Sequence, residues 1–269
     1  MRKALNTTGY DTDKGLLPDY LRLYEEYFDH LVSKRIVLLE LGVARGGSLL
    51  LWRDYFEKGT IVGVDINPAQ IDDPTGRIHV YQGYQQDEEL LDRIAREQAP
   101  EGFDVLIDDC SHIGELTRIS FWHLFTNHLK PGGIYAIEDI GTSYMDKYMG
   151  SFVDGEGYKP CGYSFYDSLR YAMASYINSV LRRGTLRHFP RLANALKPHS
   201  RYARRLRSHD YGLVGFIKEL IDACHVRSNW GGGPYRSAQI HRIVVSKNRA
   251  IILKSPVEEG VDKKQQGRE

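Results

Sequence analysis

The sequence predicts an α/β fold: a doubly wound, Rossmann-like and mostly parallel seven-stranded sheet with a C-terminal antiparallel hairpin and a helical, basic insertion. Three observations lead to this prediction. Short β-branched apolar runs alternate with helical patterns between about residues 36 and 139, which is typical of parallel sheets with right-handed crossovers. Polar residues follow each apolar run. Two further β-rich runs, separated by a dipeptide, predict the hairpin.

Five strands and their helices are expected in the first half of the chain. The apolar runs predict strands at Ile36–Gly42, Thr60–Pro68, Arg77–Gly83, Phe103–Asp109 and Ile134–Asp139. Apolar residues at helical spacing predict helices at Leu49–Gly59, Asp87–Gln98 and Leu116–Leu129. A Tyr-rich helix through Tyr20–Tyr27 is expected before the first strand, and Pro131-Gly132-Gly133 is expected to turn into the fifth.

The chain divides into five predicted segments. They are a helical cofactor-covering segment (1–30), a cofactor-binding core (31–145), a helical basic insertion or lid (146–230), the closing hairpin (231–255) and a disordered tail (256–269). Within the insertion, helices are predicted at Tyr163–Leu181 and Gly215–His225. The hairpin is expected to turn at Lys247-Asn248.

Composition indicates a globular protein. Hydrophobic residues make up 42% of the 269 residues and charged residues 26%, which excludes global disorder. No apolar run approaches the ~18–20 residues of a membrane span. The three cysteines are far apart and form no CxxC pair, which argues against a disulfide scaffold or a zinc knuckle and favours a reducing, cytoplasmic location.

The net charge of +1 hides an asymmetry. The 42 residues between Asp167 and Asp210 contain ten basic residues and no acidic one. Two interpretations explain this stretch equally well. It is either a solvated helical face or a surface that binds a phosphate, a nucleic acid or an anionic membrane. We expect it to form a lid over a bound substrate or a contact between subunits. A nucleic-acid partner is not favoured.

The ends of the first two strands predict a nucleoside-type cofactor. Glu40 and Gly42 end the first strand, and Asp65 ends the second, where an acidic side chain accepts hydrogen bonds from both hydroxyls of an adenosine ribose. The GxGxxG pattern of dinucleotide sites is absent, because Ala44 and Arg45 lie inside the turn. Glu40 suits a cofactor with a charged amino group, which S-adenosylmethionine has.

Carboxylates after the fourth and fifth strands predict a Mg²⁺ site. Asp109 ends the fourth strand, and Glu138 and Asp139 end the fifth. Three converging carboxylates repel one another without a cation, and hard oxygen ligands suit Mg²⁺. His112 lies three residues after Asp109, and it is predicted to be the general base because an unperturbed imidazole has a pKa of ~6.5.

These residues belong to motifs that resemble a known family. The chain resembles class I S-adenosylmethionine-dependent methyltransferases, and more closely the metal-dependent sugar O-methyltransferases of antibiotic biosynthesis, in the segments ELGVARGGSLLLW, GVDINP, DDCSH, KPGGIYAIEDIGTSY and IHRIVV. The TDKG sequence at Thr12–Gly15 also matches the family. The resemblance covers about Thr12–Leu129 and Pro131–Tyr144, and the hairpin more loosely, whereas Arg182–His209 has no counterpart.

The resemblance implies roles for individual residues. The cofactor-binding set is Glu40, Gly42, Asp65, Gln85, Asp108 and Lys14. The metal ligands and the catalytic base are the residues already predicted from the pattern, Asp109, Glu138, Asp139 and His112. Gln85 is expected near the adenine, and Tyr84 stands where the family usually has an aspartate.

The implied activity is S-adenosylmethionine- and Mg²⁺-dependent methylation of a sugar hydroxyl. The acceptor is expected to be a small-molecule glycoside or a nucleotide sugar, and the family suggests a homo-oligomer. Two alternatives remain open. One is a methyltransferase of another acceptor class, such as a phenol, a lipid-linked glycan or a nucleic acid, docked by the basic stretch; the other is a non-catalytic scaffold.

Overall fold

The computed structural model describes residues 4–15, 18–144, 150–151, 159–160, 212–225 and 239–256. The strands of its main sheet are β1 (Val37–Leu41), β2 (Thr60–Asp65), β3 (Ile78–Gln82), β4 (Phe103–Asp108), β5 (Leu129–Glu138), β6 (Ile240–Ser246) and β7 (Arg249–Lys254). The α-helices are α1 (Pro18–Phe28), α2 (Gly47–Tyr55), α3 (Glu88–Gln98), α4 (Gly114–Asn127) and α5 (Gly212–His225).

The sheet has the strand order β3-β2-β1-β4-β5-β7-β6. The first five strands are parallel, β7 is antiparallel to β5, and β6 is antiparallel to β7. This arrangement confirms the predicted seven-stranded, mostly parallel sheet with its antiparallel hairpin. A separate antiparallel pair joins Gly150–Ser151 to Lys159–Pro160.

The fifth strand begins earlier than the sequence predicts. β5 starts at Leu129, which pairs with Phe103 of β4. The register then shifts before Val105 pairs with Ile134, and Gly132 has a φ of 75°. The expected turn at Pro131-Gly132-Gly133 is therefore wrong, because these residues form an irregularity inside the strand, where proline and glycine are tolerated.

Helices pack on both faces of the sheet and bury its apolar side chains. On one face α3, α4 and α5 bury a cluster in which the Phe121 and Phe216 rings lie 5.3 Å apart. On the other face α1 and α2 bury Tyr24 against Trp52, with ring centroids 5.1 Å apart. Full burial of one such side chain contributes about 1.5–3 kcal/mol, so these two layers hold the strand ends in place.

The turn after β1 lies against the end of β4. The backbone N–H of Asp109 donates to Leu41 O at 2.9 Å. Gly42 has a φ of 93°, and a Cβ atom there would lie 2.1 Å from Asp109 O. Only glycine combines this left-handed conformation with so close an approach. The ends of the two strands therefore share one wall.

Part of the predicted organisation lies outside the described residues. This applies to the Tyr163–Leu181 helix, to the basic stretch between Asp167 and Asp210 and to the tail from residue 257. Among the helices that the structure describes, none is both long and apolar enough to cross a membrane.

Candidate active site

A cavity of about 690 Å³ lies at the carboxyl ends of the parallel strands. This edge of an open α/β sheet is where ligands bind, and the volume is in the usual range for small-molecule sites. The wall is made by the segments that follow the strands and by the N-terminal segment: residues 42–45 and 65–66, Tyr84, Gln85, residues 109–113, Asp139 and Asp11–Asp13.

Asp65 is held in an ionised, fixed orientation at the cofactor end of the cavity. One carboxylate oxygen accepts from the backbone N–H groups of Val43 at 2.9 Å and Ala44 at 3.1 Å, and the other from Asn67 N–H at 2.8 Å. Burial raises the pKa of Asp65, but these backbone hydrogen bonds outweigh it and keep the pKa below its ordinary value. The residue therefore fits its predicted role as an acceptor for ribose hydroxyls.

Gln85 lies between the cavity and the interior. Its side chain accepts from Ser111 N–H at 3.1 Å and donates towards both oxygens of Asp108 at 3.4 Å. Asp108 itself is buried, and desolvation raises its pKa to about 6 despite hydrogen bonds that include one from Ser120. The structure thus places Asp108 behind Gln85 and not among the residues that line the cavity.

A buried charge cluster lies behind the cavity wall. The ammonium of Lys14 lies 2.7 Å from Asp109 Oδ2, 2.8 Å from Glu138 Oε1 and 3.2 Å from Glu40 Oε1. Burial alone lowers the pKa of Lys14, but the three carboxylates outweigh it and hold the pKa well above its ordinary value. Lys14 therefore stays charged. Ser48 donates to the other oxygen of Glu40 at 2.8 Å.

The second half of the same cluster surrounds Glu138. Tyr24 OH donates to its Oε1, and Arg249 Nη2 lies 3.5 Å from its Oε2. The Arg249 guanidinium also lies over the Tyr24 ring, 4.1 Å from its centroid, a cation–π arrangement. Glu138 is only 1% exposed. It does not line the cavity, but one carboxylate oxygen of Glu138 lies within 4.8 Å of ligand atoms of Asp109 and Glu40, on the inner side of the predicted metal site.

The cavity side of Asp109 is built differently. Asp109, His112 and Asp139 each offer a ligand atom, and these atoms lie within 4.8 Å of one another. His112 Nε2 is 3.7 Å from Asp139 Oδ2. Desolvation lowers the pKa of His112, although Asp139 opposes it, so the imidazole is neutral near pH 7. The two carboxylates suit a divalent cation, and a neutral imidazole beside them can accept a proton.

Backbone strain is concentrated around this group. His112 and Asp139 have φ values of 58° and 52°, and Ala44 in the opposite wall has 46°. Such left-handed conformations cost non-glycine residues of order 1–3 kcal/mol and cluster at functional sites. The conformations aim both the His112 and the Asp139 side chains into the same part of the cavity.

The hairpin turn supports Asp139 from outside the cavity. Asn248, with a φ of 66°, donates its side-chain amide to Asp139 Oδ1. Its carbonyl oxygen Oδ1 accepts from Gly141 N–H at 2.7 Å. The turn between β6 and β7 thus fixes the residues that follow β5. Sequence reasoning placed Asn248 only in a turn, because its partner lies more than a hundred positions away in the chain.

The structure brings together six of the ten predicted site residues on the cavity wall: Gly42, Asp65, Gln85, Asp109, His112 and Asp139. The other four lie behind it: Lys14, Glu40, Asp108 and Glu138. Residues that the sequence prediction missed contact this second group, among them Tyr24, Ser48, Ser120 and Arg249. Ser48 follows the glycine pair of a predicted motif and could have been found; a buried arginine in a C-terminal strand gives no such signal.

The fold and the cavity define the class of protein. The strand order, with the final antiparallel pair at the end of a five-stranded parallel layer, is a methyltransferase-like α/β fold. Asp65 after β2 and the carboxylates after β4 and β5 lie at the edge where open α/β sheets bind their ligands.

Comparisons with known proteins agree with this class. The chain is 41% identical over 150 residues to mycinamicin VI 2''-O-methyltransferase of Micromonospora griseorubida. It is 40% identical over 144 residues to a tetracenomycin-C rhamnosyl 3'-O-methyltransferase of Streptomyces olivaceus, and 35% identical over 158 residues to demethylmacrocin O-methyltransferase of Streptomyces fradiae. The alignments cover 52%, 51% and 56% of this chain. Homologues of the chain are therefore sugar O-methyltransferases of antibiotic pathways.

The chain spans little more than a third of these relatives. The aligned regions are 36%, 36% and 39% of their lengths. Among solved structures, the MycE methyltransferase of the mycinamycin pathway in complex with Mg and SAH matches with a TM-score of 0.65 and 27% identity, over 100% of this chain and 59% of that one. A MycE complex that also contains mycinamycin VI matches with a TM-score of 0.64 and 28% identity, over 96% of this chain and 56% of that one. No family model matches the chain.

Proposed function

We propose that the chain is an S-adenosylmethionine- and Mg²⁺-dependent O-methyltransferase that acts on a sugar hydroxyl of a glycosylated natural product or of a nucleotide sugar. One observation carries the proposal. A single cavity has the carboxylate of Asp65, which could accept from ribose hydroxyls, in one wall and the group of Asp109, His112 and Asp139 in another. Relatives of the chain are named for O-methylation of sugars on antibiotics, and a related structure contains both Mg and SAH.

The cofactor is assigned to the β1–β2 side of the cavity. Asp65 would accept from the ribose hydroxyls, and Gln85 would lie against the adenine. Gly42 supports this placement because its missing Cβ leaves the backbone free to approach both Asp109 and a ligand. Three residues act from behind the wall. Glu40 supplies negative charge and Lys14 a compensating positive charge, while Asp108 anchors Gln85.

The metal ligands are assigned to Asp109, Glu138 and Asp139, as the sequence predicts. Asp109 and Asp139 reach the cavity directly. Asp109 and Glu138 already converge on one positive charge, the Lys14 ammonium, which supports a cation position between them. Glu138 would contribute a ligand atom only after some of its contacts to Lys14, Tyr24 and Arg249 change.

The proposed chemistry needs an activated hydroxyl and a base. When bound, Mg²⁺ lowers the pKa of a coordinated hydroxyl, and the sulfonium of S-adenosylmethionine supplies the methyl group. Neutral His112 accepts the hydroxyl proton at Nε2 as the oxygen attacks. Asp139, 3.7 Å from that nitrogen, favours the imidazolium that forms. Asp109 and Asp139 orient the acceptor oxygen towards the cofactor end of the cavity.

Calorimetry tests the proposal most directly. S-adenosylmethionine is titrated into the wild-type protein, and Mg²⁺ is titrated with and without the cofactor. We expect both to bind, and Asp65→Ala to lose cofactor binding while Asp72→Ala, at an exposed acid, retains it. Positive results lead to an acceptor screen with deoxysugar glycosides, in which mass spectrometry detects the gain of one methyl group.

The outcomes are separable. Cofactor binding without a metal site would keep the methyltransferase and reject the metal ligands. Absence of cofactor binding would reject the catalytic proposal. A product that forms on a phenol or a nucleic acid but not on a glycoside would reject the sugar acceptor alone.

We also propose a homo-oligomer in a reducing, cytoplasmic location. The resemblance to the family suggests the homo-oligomer. The spacing of the cysteines supports the reducing location, and Cys110 and Cys224 are free thiols. Light scattering coupled to size-exclusion chromatography tests the assembly, and a monomer at micromolar concentration would reject it.

A further inference from the structure

A second group of metal-binding side chains lies between α3 and α4, away from the cavity. His123 Nε2 and His128 Nε2 lie 2.8 Å and 2.6 Å from the same oxygen, Oδ1 of Asp92. One ligand atom from each of the three residues lies within 4.8 Å of the others. None of the three lines the cavity, so the group is independent of the proposed catalytic site.

We propose that Asp92, His123 and His128 form a binding site for a divalent transition-metal ion, with Zn²⁺ as the best match. Two imidazoles and one carboxylate are a set that Zn²⁺ binds well, and they are less suited to Mg²⁺, which prefers oxygen ligands. Three protein ligands leave one tetrahedral position for water. Asp92 is 41% exposed, so solvent reaches the site.

The geometry needs only a small change to accept the ion. Zinc–nitrogen and zinc–oxygen distances of about 2.0–2.1 Å separate tetrahedral ligand atoms by about 3.3 Å. The two imidazole–carboxylate contacts are 2.6 and 2.8 Å. Widening them by about 0.5–0.7 Å is within the reach of side-chain rotation, since Asp92 is 41% exposed.

A fourth residue supports the assignment independently. His123 Nδ1, the ring nitrogen that faces away from Asp92, lies 3.5 Å from Glu88 Oε2. With an ion on Nε2, a neutral His123 would carry its proton on Nδ1 and face the Glu88 carboxylate, an arrangement that is usual around zinc. Without an ion, Asp92 accepts hydrogen bonds from both histidines, which lower its pKa.

The position of the site indicates a structural role. Asp92 lies on α3, His123 on α4, and His128 directly follows α4. The carbonyl oxygen of His128 accepts from Phe103 N–H at the start of β4, at 2.7 Å. A bound ion would therefore connect α3 to the end of α4 and to the start of β4. It would stabilise the fold without taking part in methyl transfer.

Metal titration of the full chain tests the inference. Zn²⁺ alone is added to metal-free protein, with bound equivalents measured by calorimetry and the thermal midpoint by circular dichroism. Co²⁺ is used as a second probe, because its visible absorption reports tetrahedral nitrogen ligation. We expect His128→Gln and Asp92→Asn each to remove one bound equivalent and the associated rise in thermal midpoint. His241→Gln, at an exposed histidine of β6, should behave as wild type.

Loss of one of the three ligands should strongly lower the affinity for Zn²⁺. Changes outside the ligand shell already cost about 10- to 100-fold in metal affinity, so loss of a ligand should cost at least as much. Equal Zn²⁺ binding by wild type, His128→Gln and Asp92→Asn would overturn the site, as would Zn²⁺ binding that disappears only when Asp139 is changed. His128→Gln could disturb the fold, because the His128 side chain is only 19% exposed. Asp92→Asn is the second variant because the Asp92 side chain is 41% exposed, so this substitution should leave the fold intact.

Discussion

Asp109 has two sides, and the structure treats them in opposite ways. On the inner side the carboxylate meets Lys14 within a cluster that also contains Glu40, Glu138 and Arg249, all buried. On the outer side it lies beside His112 and Asp139 in the wall of the cavity. The inner side combines opposite charges at short distances. The outer side combines two carboxylates with an imidazole that burial keeps neutral.

The difference shows how the same residue serves stability and chemistry. Charges that are buried away from solvent must be matched by partners, because an isolated buried charge is very costly. Charges in the cavity wall are open to a ligand that could match them. On the proposed function, the inner cluster therefore contributes the stability of the site, and the outer group its reactivity. Substitutions on the two sides should separate these properties.

The largest effect is expected on the outer side. His112→Asn removes the base while keeping a residue type that tolerates a left-handed backbone. We expect turnover to fall by about 10²- to 10⁴-fold, with cofactor affinity and the free energy of unfolding almost unchanged. Steady-state kinetics and calorimetry measure these quantities. Loss of cofactor affinity, with turnover per bound cofactor preserved, would contradict the assignment.

A substitution on the inner side should lower the free energy of unfolding. Lys14→Met keeps an unbranched apolar side chain but leaves three carboxylates without their ammonium. Removal of one partner from a buried ion pair typically costs about 3–5 kcal/mol, and we expect a loss of this size in the free energy of unfolding in urea. Lys58→Met, at an exposed lysine, is the matched control. A variant as stable as this control would show that the inner cluster does not depend on Lys14.

Asn248 tests the support of the outer side. Asn248→Gly keeps the left-handed turn, at a φ of 66°, and removes only the side chain that holds Asp139 and Gly141. Loss of a group that orients a metal ligand costs about 10- to 100-fold in metal affinity or activity. We expect weaker Mg²⁺ binding and restoration of turnover at high Mg²⁺. Lys247→Ala, in the same turn, should have no effect; if both variants lose activity equally, the turn and not the Asn248 amide is responsible.

Tyr24→Phe should have the smallest effect. It removes one hydrogen bond to Glu138 and leaves the aromatic ring over which Arg249 lies. Because Lys14 still donates to the same oxygen, we expect a loss of about 1.5 kcal/mol, the low end for hydrogen bonds to charged groups. Urea unfolding measures it. A loss as large as that of Lys14→Met would mean that Tyr24, and not Lys14, organises the inner cluster.

The residues of both sides were named from the sequence, but only those of the outer side were predicted with the position that they have; that Lys14, Glu40 and Glu138 pair with one another behind the cavity was not predicted. Strand ends mark the positions of Asp65, Asp109 and Asp139, because carboxyl ends of parallel strands meet at one edge. The spacing of apolar residues also predicted the helices, such as α3, whose N-cap in the structure is Asp87. Side-chain direction is not encoded in this way. Glu138 and Asp139 are neighbours in the chain, yet one faces the interior and the other faces the cavity.

Long-range contacts account for the rest. Lys14 and Glu138 are separated by 124 positions, and Asn248 and Asp139 by 109. No local pattern indicates that these pairs meet. The irregularity at the start of β5 was missed for a related reason. Proline and glycine predict a turn locally, but pairing with β4 keeps the segment in the sheet.

The left-handed backbone at His112 has a consequence for the evolution of this protein. Glycine at position 112 would relieve the strain and raise the thermal midpoint, because only glycine adopts that conformation without cost. On the proposed function it would also remove the base. A selection for heat resistance alone would then enrich inactive sequences at this position, and a thermostable variant with the proposed activity would have to acquire its stability elsewhere.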